Sequence, residues 1–570
     1  MTASLNGRTS GDCAPFHSGK RRLSSVLSEI RRLLGSSQGY VSSIRIRTPR
    51  VAANCLIAVA GLAAAPLFGG DLPTGGDIVA GHAVISATEH TLNVDVASSR
   101  AVINWDSFSI GAGHSANFQL PDSTAAVLNR VTSAQMPSTI SGALNSNGNI
   151  LLVNPSGIVV SSSGTVNTNG FAASVFDIGD AEFMKGGALH FNNNGSNAAV
   201  TNQGTIATGN GGAHLIANQI SNEGSITSLG GNITLSGGGE VTLQDGVTYV
   251  QPTLETLAGG ISPTAGLIQN TGSIRATGAA TAGGEVYLVN PNGKILHDGT
   301  ITAGQTAIAD AQQNIVQPAT TPVEGGRVQL EADNISLTEN STIDASGANG
   351  GGEVLIGGDW QGTGDMHQAT RVAIAEGAKV DASATTQGDG GTIVAWSNVN
   401  ERESVTSVHG TLSATGGVNG GNGGRIETSG HRLDVSGIIA NARAYAGKAG
   451  AWLLDPYSLT VTNSATNTTI VAPPLGFISS SGGTNVAASD IEAALNTGSS
   501  VYLQTSGTDG DGNGAGNINV NVDITKSAGG NTSLSLYAHK DIVIANNVAI
   551  SSSSGELAIT LKADSDSTNG

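Results

Sequence analysis

Short apolar segments alternate along this chain with turns rich in glycine and asparagine. ILLVN at residues 150–154 and EVYLVN at 285–290 are examples, each about the length of one strand and far shorter than an ordinary helix. Glycine and asparagine adopt the left-handed backbone angles that tight corners need. The pattern therefore predicts many short strands and no long helix after the first seventy residues.

Two sequence motifs recur. Asn-x-Gly-Ser/Thr-Ile begins at Asn202, Asn222 and Asn270, and its first two copies lie 20 residues apart. The second motif is an apolar residue followed by alanine, serine or threonine, a glycine pair and a strand, and it begins at Ile274, Ile343, Val380 and Leu412. Repetition of this kind is typical of solenoid architectures.

A unit of about 20 residues with two or three strands fits one rung of a right-handed parallel β-helix, an all-β solenoid. An array of β-sandwich domains is the alternative, but the units are short and lack the Trp, Tyr and Pro punctuation of such domains. Some 500 mature residues predict about 25 stacked rungs. Residues 76–120 are the candidate N-terminal cap. No cap is visible before DSDSTNG at the end, which suggests a fragment of a longer chain.

Composition supports an elongated β protein. The chain of 570 residues contains 81 glycines, only 12% charged residues and 4% aromatics, and its net charge is −18. Nine of the 25 basic residues lie in the first 50, and the rest of the chain carries 16 basic and 41 acidic residues, a net charge of −25. Such an acidic surface repels nucleic acid, so we expect no nucleic-acid partner.

The first seventy residues have the features of an export signal. A basic region from Lys20 to Arg50 precedes the apolar run VAANCLIAVAGLAAAPLF, which is too short to span a membrane. We expect cleavage between Ala63 and Gly70. Both cysteines, Cys13 and Cys55, would then be lost, leaving a mature chain without disulfides.

Residues 76–177 resemble the secretion domain of two-partner secretion exoproteins, the filamentous haemagglutinin family. The matching segments are IVAGHAVIS, INWDSFSIGAGHSANFQL, AVLNRVT, PSTISGALNSNGNILLVNPSGIVV and VNTNGFAASVFDI. Later segments also resemble the family, including GGNGGRIETSG and GAWLLDPYSLTVTN around Trp452 and Asp455. The predicted organisation is a pre-region and signal peptide at 1–69, a two-partner secretion domain at 70–315 with its core at 76–195, β-helix repeats at 316–450, and further β-rich repeats at 451–570.

The resemblance implies a partner: an outer-membrane β-barrel transporter with periplasmic domains, which recognises the secretion domain and passes the chain outward unfolded. The residues that the resemblance assigns to recognition, or to turns supporting it, are Asn129, Arg130, Asn154, Pro155, Gly157, Asn290, Pro291, Asn292 and Gly293. The family's Asn-Pro-Asn-Gly turn reads NPSG at 154–157 and is intact as NPNG at 290–293. Serine fits position i+2 of a type I turn, so we expect the turn at 154–157 to form.

The sequence offers no catalytic or metal-binding motif. Its eleven histidines lack ligand spacing, and HExxH, CxxC, P-loop and GxSxG patterns are absent. Asp509, Asp511, Asn513 and Gly514 copy half of an EF-hand loop, but Val520 replaces the glutamate at position twelve. We therefore expect no enzyme activity, metal or cofactor.

The leading functional prediction is an adhesin, secreted or held at the surface of a Gram-negative bacterium after passage through the periplasm. Its host or neighbouring-cell ligand is unknown. A haem-acquisition exoprotein, the stem of a contact-dependent toxin and, less favoured, a polysaccharide-degrading β-helix enzyme are the alternatives.

Overall fold

The structure of this protein is a computed structural model that describes residues 71–565 except 134–135, 194, 245–246, 253–265, 279–282, 305–323, 466–467, 471–476, 480–483 and 507–515. The predicted leader at 1–69, with Cys13 and Cys55, and the EF-hand-like residues 509–514 lie outside the described residues. Among the described residues, no helix is both long and apolar enough to cross a membrane.

Three parallel ladders of short strands wind around one apolar core, so the predicted parallel β-helix is confirmed. Most rungs contribute one strand to each of three faces, in the order face 1, face 2, face 3. The strands of face 1 are Ala83–Ala87, Thr91–Val96, Ser115–Gln119, Ala143–Ser146, Thr165–Ser174, Thr205–Ile216, Ser225–Leu229, Ser273–Thr277, Thr300–Thr302, Thr342–Asp344, Lys379–Asp381, Thr411–Ser413, Ile439–Asn441, Ile524–Lys526 and Ile550–Ser552.

Four long strands bend from one face onto the next and are named on both. Face 2 consists of Asp77–Ala80, Arg100–Trp105, Ala126–Val131, Asn149–Val153, Thr165–Ser174, Thr205–Ile216, Ile233–Ser236, Glu285–His297, Arg327–Leu337, Glu353–Ile356, Thr392–Trp396, Arg425–Gly430, Ala451–Pro456, Ser500–Gln504, Thr532–Tyr537 and Leu557–Lys562. Face 3 consists of Ser138–Ile140, Ile158–Val160, Ala199–Asn202, Gln219–Asn222, Leu267–Asn270, Glu285–His297, Arg327–Leu337, Arg371–Ile374, Val405–Val408, Arg432–Asp434, Leu459–Thr462, Thr484–Ala487, Ile518–Val520 and Ile542–Ile544.

A short antiparallel cap covers the N-terminal end of the helix. Asp77–Ala80 pairs antiparallel with Arg100–Trp105, and Ala83–Ala87 pairs antiparallel with Thr91–Val96. From Thr91–Val96 onward the face 1 strands pair in parallel. The cap therefore ends earlier than residue 120, because Thr91–Val96 and Arg100–Trp105 already form the first parallel rung.

The core consists of identical positions stacked from rung to rung. The buried inward row of face 2 runs through Ala101, Val127, Ile150, Phe171, Ala213, Ile233, Val286, Val328, Val354, Ile393, Ile426, Trp452, Val501 and Leu534. Burial of each large aliphatic side chain is worth roughly 1.5–3 kcal/mol relative to exposure. Such rows make β-branched Val and Ile the favoured inward residues.

The repeat motifs read from the sequence mark stacked positions. Asn202 pairs with Asn222, and Asn222 with Asn270. Ile274, Ile343, Val380 and Leu412 all belong to the inward row of face 1, in which Ile301 lies between the first two. Consecutive members of that row are 27 to 42 residues apart.

Rungs are longer than the predicted 20 residues, and face 2 accordingly has 15 parallel rung strands among the described residues rather than about 25. Insertions cause the difference. One insertion carries the helix α1 (Asp180–Lys185), and the strands Leu189–Phe191, Gly239–Gln244 and Val247–Pro252 form a separate antiparallel sheet. Thr468–Ile470 and Phe477–Ser479 form another hairpin.

A second helix, α2 (Ala488–Thr497), packs on face 1 between Ile439–Asn441 and Ile524–Lys526. Its buried side chains are those of Ala488, Ile491, Ala494 and Leu495. Gly498 follows it with φ 96°, the left-handed conformation that commonly ends a helix. This helix of 10 residues therefore takes the place of a face 1 strand, and the rungs beyond it continue the stack.

Candidate recognition site around Arg130

Asn129 and Arg130 are neighbours on the strand Ala126–Val131 and have opposite environments. Asn129 is fully buried. Its Oδ1 accepts a hydrogen bond from the indole Nε1 of Trp105 at 3.0 Å, and its Nδ2 donates to the carbonyl of Leu151 at 3.4 Å. A buried amide of this kind fixes the Trp105 ring, and it has no solvent-facing atom for a partner to bind.

Arg130 points outward and holds an insertion against face 2. Its Nε donates to Asp177 Oδ1 at 2.8 Å, its Nη1 to Asp180 Oδ1 at 2.5 Å, and its Nη2 to the carbonyl of Ile178 at 2.5 Å. The Arg130 side chain is 14% exposed, against 34% for Asp177 and 45% for Asp180. Burial would lower the pKa of the guanidinium, but the hydrogen bonds and charges of the two aspartates raise that pKa above its usual value.

A second arginine, not singled out by the sequence, supports the same insertion. Arg100 Nη1 donates to the carbonyl of Phe183 at 3.0 Å, and its guanidinium lies 5.1 Å from the centre of the Phe183 ring. Phe183 is fully buried. Burial lowers the pKa of Arg100. Together the two arginines dock α1 on the outer surface of face 2, and the groove beside Arg130 is lined by the carboxylates of Asp177, Asp180 and Glu240 and by the amides of Asn192 and Asn193.

The turn at 154–157 is present with serine in place of the family's asparagine. The N–H of Gly157 donates to the carbonyl of Asn154 at 3.0 Å, and the N–H of Ser156 donates to Asn154 Oδ1 at 2.9 Å. Asn154 Nδ2 donates to the carbonyl of Met136 and to Ser138 Oγ, each at 3.0 Å. Asn154 is buried, and only Pro155 and Ser156 are partly exposed.

The motif at 290–293 lies inside the strand Glu285–His297 rather than at a turn between strands. Its register slips between Asn290 and Lys294, where Pro291, Asn292 and Gly293 face the single residue Asp333 of the next rung. A bulge thus replaces the expected turn, because the chain continues from face 2 directly onto face 3. Asn292 is exposed, whereas Asn290, Pro291 and Gly293 are buried.

The two motifs occupy the same corner of the β-helix. Asn154 follows Val153 and Asn290 follows Val289, and these valines stand four rungs apart in one row that runs through Ser174, Ile216 and Ser236. Four rungs correspond to roughly 19 Å along the helix axis. Arg130 pairs with Val153, so it lies beside the first motif and away from the second.

Two strongly perturbed carboxylates lie elsewhere, under a loop on face 2. Burial raises the pKa of Glu427 to about 8 and that of Asp455 to about 6. Glu427 accepts hydrogen bonds from the Gln361 N–H at 2.7 Å and from Ser429 Oγ at 2.8 Å. Asp455 accepts hydrogen bonds from Ser506 Oγ at 2.7 Å and from Gln504 Nε2 at 2.9 Å.

Both carboxylates are at most 2% exposed, so a large substrate has no access to them in this structure. No group of three or more His, Cys, Asp or Glu side chains in the described part of the chain is arranged to hold a metal ion. The Trp452 indole, in the segment that carries the later resemblance, donates to Thr428 Oγ1 at 3.0 Å and is also buried.

Residues 70–277 match the family model of the TPS secretion domain. A heme/hemopexin-binding protein of Haemophilus influenzae (strain ATCC 51907 / DSM 11121 / KW20 / Rd) is 27% identical over 282 residues, which are 48% of this chain and 28% of that protein. Another Haemophilus influenzae heme/hemopexin-binding protein is 32% identical over 91 residues, 16% of this chain and 10% of that protein. The matches thus span less than a third of each relative's length.

Among solved structures, the HMW1 secretion domain from Haemophilus influenzae is similar, with a TM-score of 0.50 and 26% sequence identity. The similarity covers 67% of this chain and 100% of that one. It therefore extends over more of this β-helix than residues 70–277 alone.

Proposed function

We propose that this chain is exported to the cell surface or medium and acts there as an adhesin. Residues 70–277 match the TPS secretion domain, so the resemblance to two-partner secretion exoproteins is confirmed. The secretion domain is the observation that carries the export part of the proposal. A domain of this type implies a cognate outer-membrane transporter. The adhesin part rests on analogy with the family.

Several physical features support export and display. Stacked rungs fold by local addition, since each rung contacts mainly its neighbours, and a chain threaded outward can fold as it emerges. The β-helix then presents long outer faces to solvent, and extended repeat surfaces of this kind suit binding to large partners.

We propose binding rather than catalysis as the activity of the described residues. The two carboxylates with strongly raised pKa values, Glu427 and Asp455, are buried and hydrogen-bonded within the protein. Carboxylates that act on a polysaccharide have to reach the sugar from an open groove. Incubation of purified protein with acidic polysaccharides, followed by reducing-end analysis, should give no product; chain cleavage above a heat-treated control would contradict this.

Coexpression tests the export proposal. The full chain is produced in a Gram-negative host with its cognate transporter, without that transporter, and with a variant lacking residues 71–277. We expect extracellular or protease-accessible protein only when both the transporter and the secretion domain are present. Periplasmic retention beside a correctly inserted transporter would rule out the proposed export route.

Adhesion is measured separately on the same strains. Cells that display the protein should bind to host cells or to each other more strongly than cells that lack the transporter. Equal binding by both strains would disprove the adhesin role while leaving export intact.

Haem or hemopexin binding is the second candidate, favoured by the similarity to the two heme/hemopexin-binding proteins of Haemophilus influenzae. A groove of about 960 Å³ on the outside of face 3 is the place to test it. Its lining includes the apolar side chains of Leu296, Ala373 and Ile374, and His409 lies at its edge. His409 is held by Ser407 Oγ at 2.8 Å and by the Ser436 carbonyl at 2.6 Å.

Haem titration decides this candidate. Haem binding should produce a Soret shift that is weakened in His409→Ala and retained in His190→Asn, a substitution outside the groove. An unshifted Soret band in the unaltered protein, or equal shifts in both variants, would exclude this groove as the haem site.

A further inference from the structure

His90 and His114 form a contact pair at the N-terminal end of the β-helix. Nδ1 of His90 lies 3.1 Å from Nε2 of His114, and the ring centres are 4.9 Å apart. Each histidine directly precedes a face 1 strand, Thr91–Val96 or Ser115–Gln119. The N–H of Ser115 donates to the carbonyl of His90 at 3.0 Å, so backbone pairing between rungs holds the two residues side by side.

The spacing of the two nitrogens matches that of neighbouring ligands on one metal ion. With metal–nitrogen bonds of about 2.0–2.1 Å, two ligand nitrogens lie about 2.9 Å apart at a right angle and about 3.3 Å apart at a tetrahedral angle. The observed 3.1 Å falls between these values. The His90 side chain is 64% exposed, so an ion can approach from solvent.

The outer nitrogens of both rings face acceptors. His114 Nδ1 lies 3.2 Å from the carbonyl of Ala112, and His90 Nε2 lies 3.9 Å from Glu89 Oε1. In the metal-free pair one inner nitrogen donates a hydrogen bond to the other. A change of tautomer that moves this proton to the outer nitrogen of the same ring gives both inner nitrogens a lone pair for a metal ion. Second-shell acceptors orient metal-binding histidines in the same way.

Nearby carboxylates add negative charge. Asp71 and His114 both lie beside Gly111. A Cβ placed on Gly111 would be 2.8 Å from Asp71 Oδ1 and 3.3 Å from His114 Nδ1, so the carboxylate is close to this ring. The Glu89 side chain is 88% exposed and contacts the other ring. Both carboxylates favour a bound cation through charge without having to be its ligands.

From this geometry we propose that His90 and His114 together bind one divalent transition-metal ion, with water completing its coordination. Imidazole nitrogens suit Cu²⁺, Ni²⁺ and Zn²⁺, and Cu²⁺ gives the highest affinity in this series. The ion joins two successive rungs next to the cap. Because only the folded chain brings the two rings together, metal binding stabilises the folded N-terminal rungs.

The test uses the full chain with CuCl₂ and with ZnCl₂ as the probes. Isothermal titration is compared among the unaltered protein, His90→Asn, His114→Asn and His190→Asn. His190 is the matched control, because it is also exposed and also lies beside a carboxylate, Glu182, but it contacts no other imidazole of the described residues. We call His90→Asn and His114→Asn the pair variants. The unaltered protein and His190→Asn should bind one more equivalent of metal ion than either pair variant, or should bind the ion at least roughly tenfold more tightly.

Two further measurements complete the test. The electron paramagnetic resonance spectrum of the Cu²⁺ complex should show coupling to two imidazole nitrogens in the unaltered protein and to fewer in each pair variant. Circular dichroism establishes that the variants are folded, and His90→Gln replaces any variant that is not. Equal stoichiometry and affinity in the pair variants and the control, or no metal binding by the unaltered protein, would overturn the proposal.

Discussion

The side-chain Nδ2 of Asn222 donates a hydrogen bond to Oδ1 of Asn270 at 2.7 Å, although the two asparagines are 48 residues apart. Asn202 donates in the same way to Asn222 at 2.8 Å, and Asn270 Nδ2 lies 3.1 Å from Nδ1 of His297. All four side chains are fully buried. They form one ladder of polar groups inside an otherwise apolar corner, and each side chain forms a hydrogen bond with the next.

Replacement of the central member should destabilise this ladder strongly. Asn222→Ala leaves Asn270 Oδ1 without its donor and leaves Asn202 Nδ2 with only its longer hydrogen bond to the Ser225 carbonyl, at 3.3 Å. Each unsatisfied buried group costs about 1–3 kcal/mol. We expect the free energy of unfolding to fall by about 2–5 kcal/mol. Chemical denaturation followed by circular dichroism measures the change, and Gln203→Ala, at an exposed neighbouring position, should change it little. Equal effects of the two substitutions would contradict the ladder's role.

Some of this architecture was readable from the sequence and some was not. Asn202, Asn222 and Asn270 repeat one residue in one motif, so the sequence reveals that they are equivalent. His297 completes their ladder without any such motif. Packing at a stacked position requires only a side chain that fits the space. Different residues can therefore occupy equivalent positions in successive rungs, and the sequence then shows no repeat.

Contacts made by insertions are harder to foresee. Arg130 meets Asp177 and Asp180 across 47 and 50 residues because a loop folds back over face 2. His90 and His114 meet across 24 residues, the length of one particular rung. Rung lengths vary with their loops, so no fixed spacing could predict either contact. The family resemblance indicated Arg130, but the sequence gave no sign of its partners.

Arg130 and its hydrogen bonds to Asp177 and Asp180, here called the Arg130 clamp, should contribute to the stability of the folded protein. Arg130→Ala leaves Asp177 and Asp180 facing each other without the cation between them. We expect a loss of about 1–3 kcal/mol in the free energy of unfolding, since the removed hydrogen bonds are charge-assisted but partly exposed. Lys379→Ala, at an exposed lysine on face 1, is the control.

The same pair of variants tests the predicted role of Arg130 in partner recognition. If secretion by Arg130→Ala falls while the folded protein keeps the stability of the control, the transporter reads this residue directly. If stability falls instead, the clamp is structural, and the recognition hypothesis for Arg130 is not needed to explain a secretion defect.

Gly157 should tolerate no side chain. Its φ of +113° is disfavoured for other residues, and an added Cβ would lie 3.2 Å from the carbonyl oxygen of Ala199. Gly157→Ala should therefore lower the free energy of unfolding by about 1–2 kcal/mol. Gly187→Ala is the matched control, because Gly187 also has positive φ but open space around its Cβ position. A larger effect at Gly187 would show that crowding at the 154–157 turn does not matter.

The exposed part of the same turn separates recognition from folding. Only Pro155 and Ser156 present partly exposed atoms there. A Ser156→Arg substitution adds bulk and charge outside the core, so we expect little change in stability. If the transporter binds this turn, secretion should drop severalfold in the coexpression assay. Unchanged secretion would assign the turn to folding alone.

Glu427 should make stability depend on pH. Its pKa is about 8 in the folded protein, where burial favours the neutral acid, and about 4.5 when exposed. The folded state therefore binds the proton more tightly, so the stabilisation is full below pH 4.5 and is lost as pH rises through 8. Asp455, with a pKa of about 6, adds a loss in the same direction at lower pH.

Glu427→Gln keeps the shape of the side chain without its titration, so its denaturation midpoint should fall less between pH 5 and pH 8.5 than that of the unaltered protein. Glu376→Gln, at an exposed glutamate, should behave like the unaltered protein. A pH slope that is identical in all three proteins would mean that Glu427 is already ionised when folded. In that case the loop around Gln361 would have to admit water to the carboxylate. The two hydrogen bonds to Glu427 are too few to stabilise an ionised carboxylate that is shielded from water.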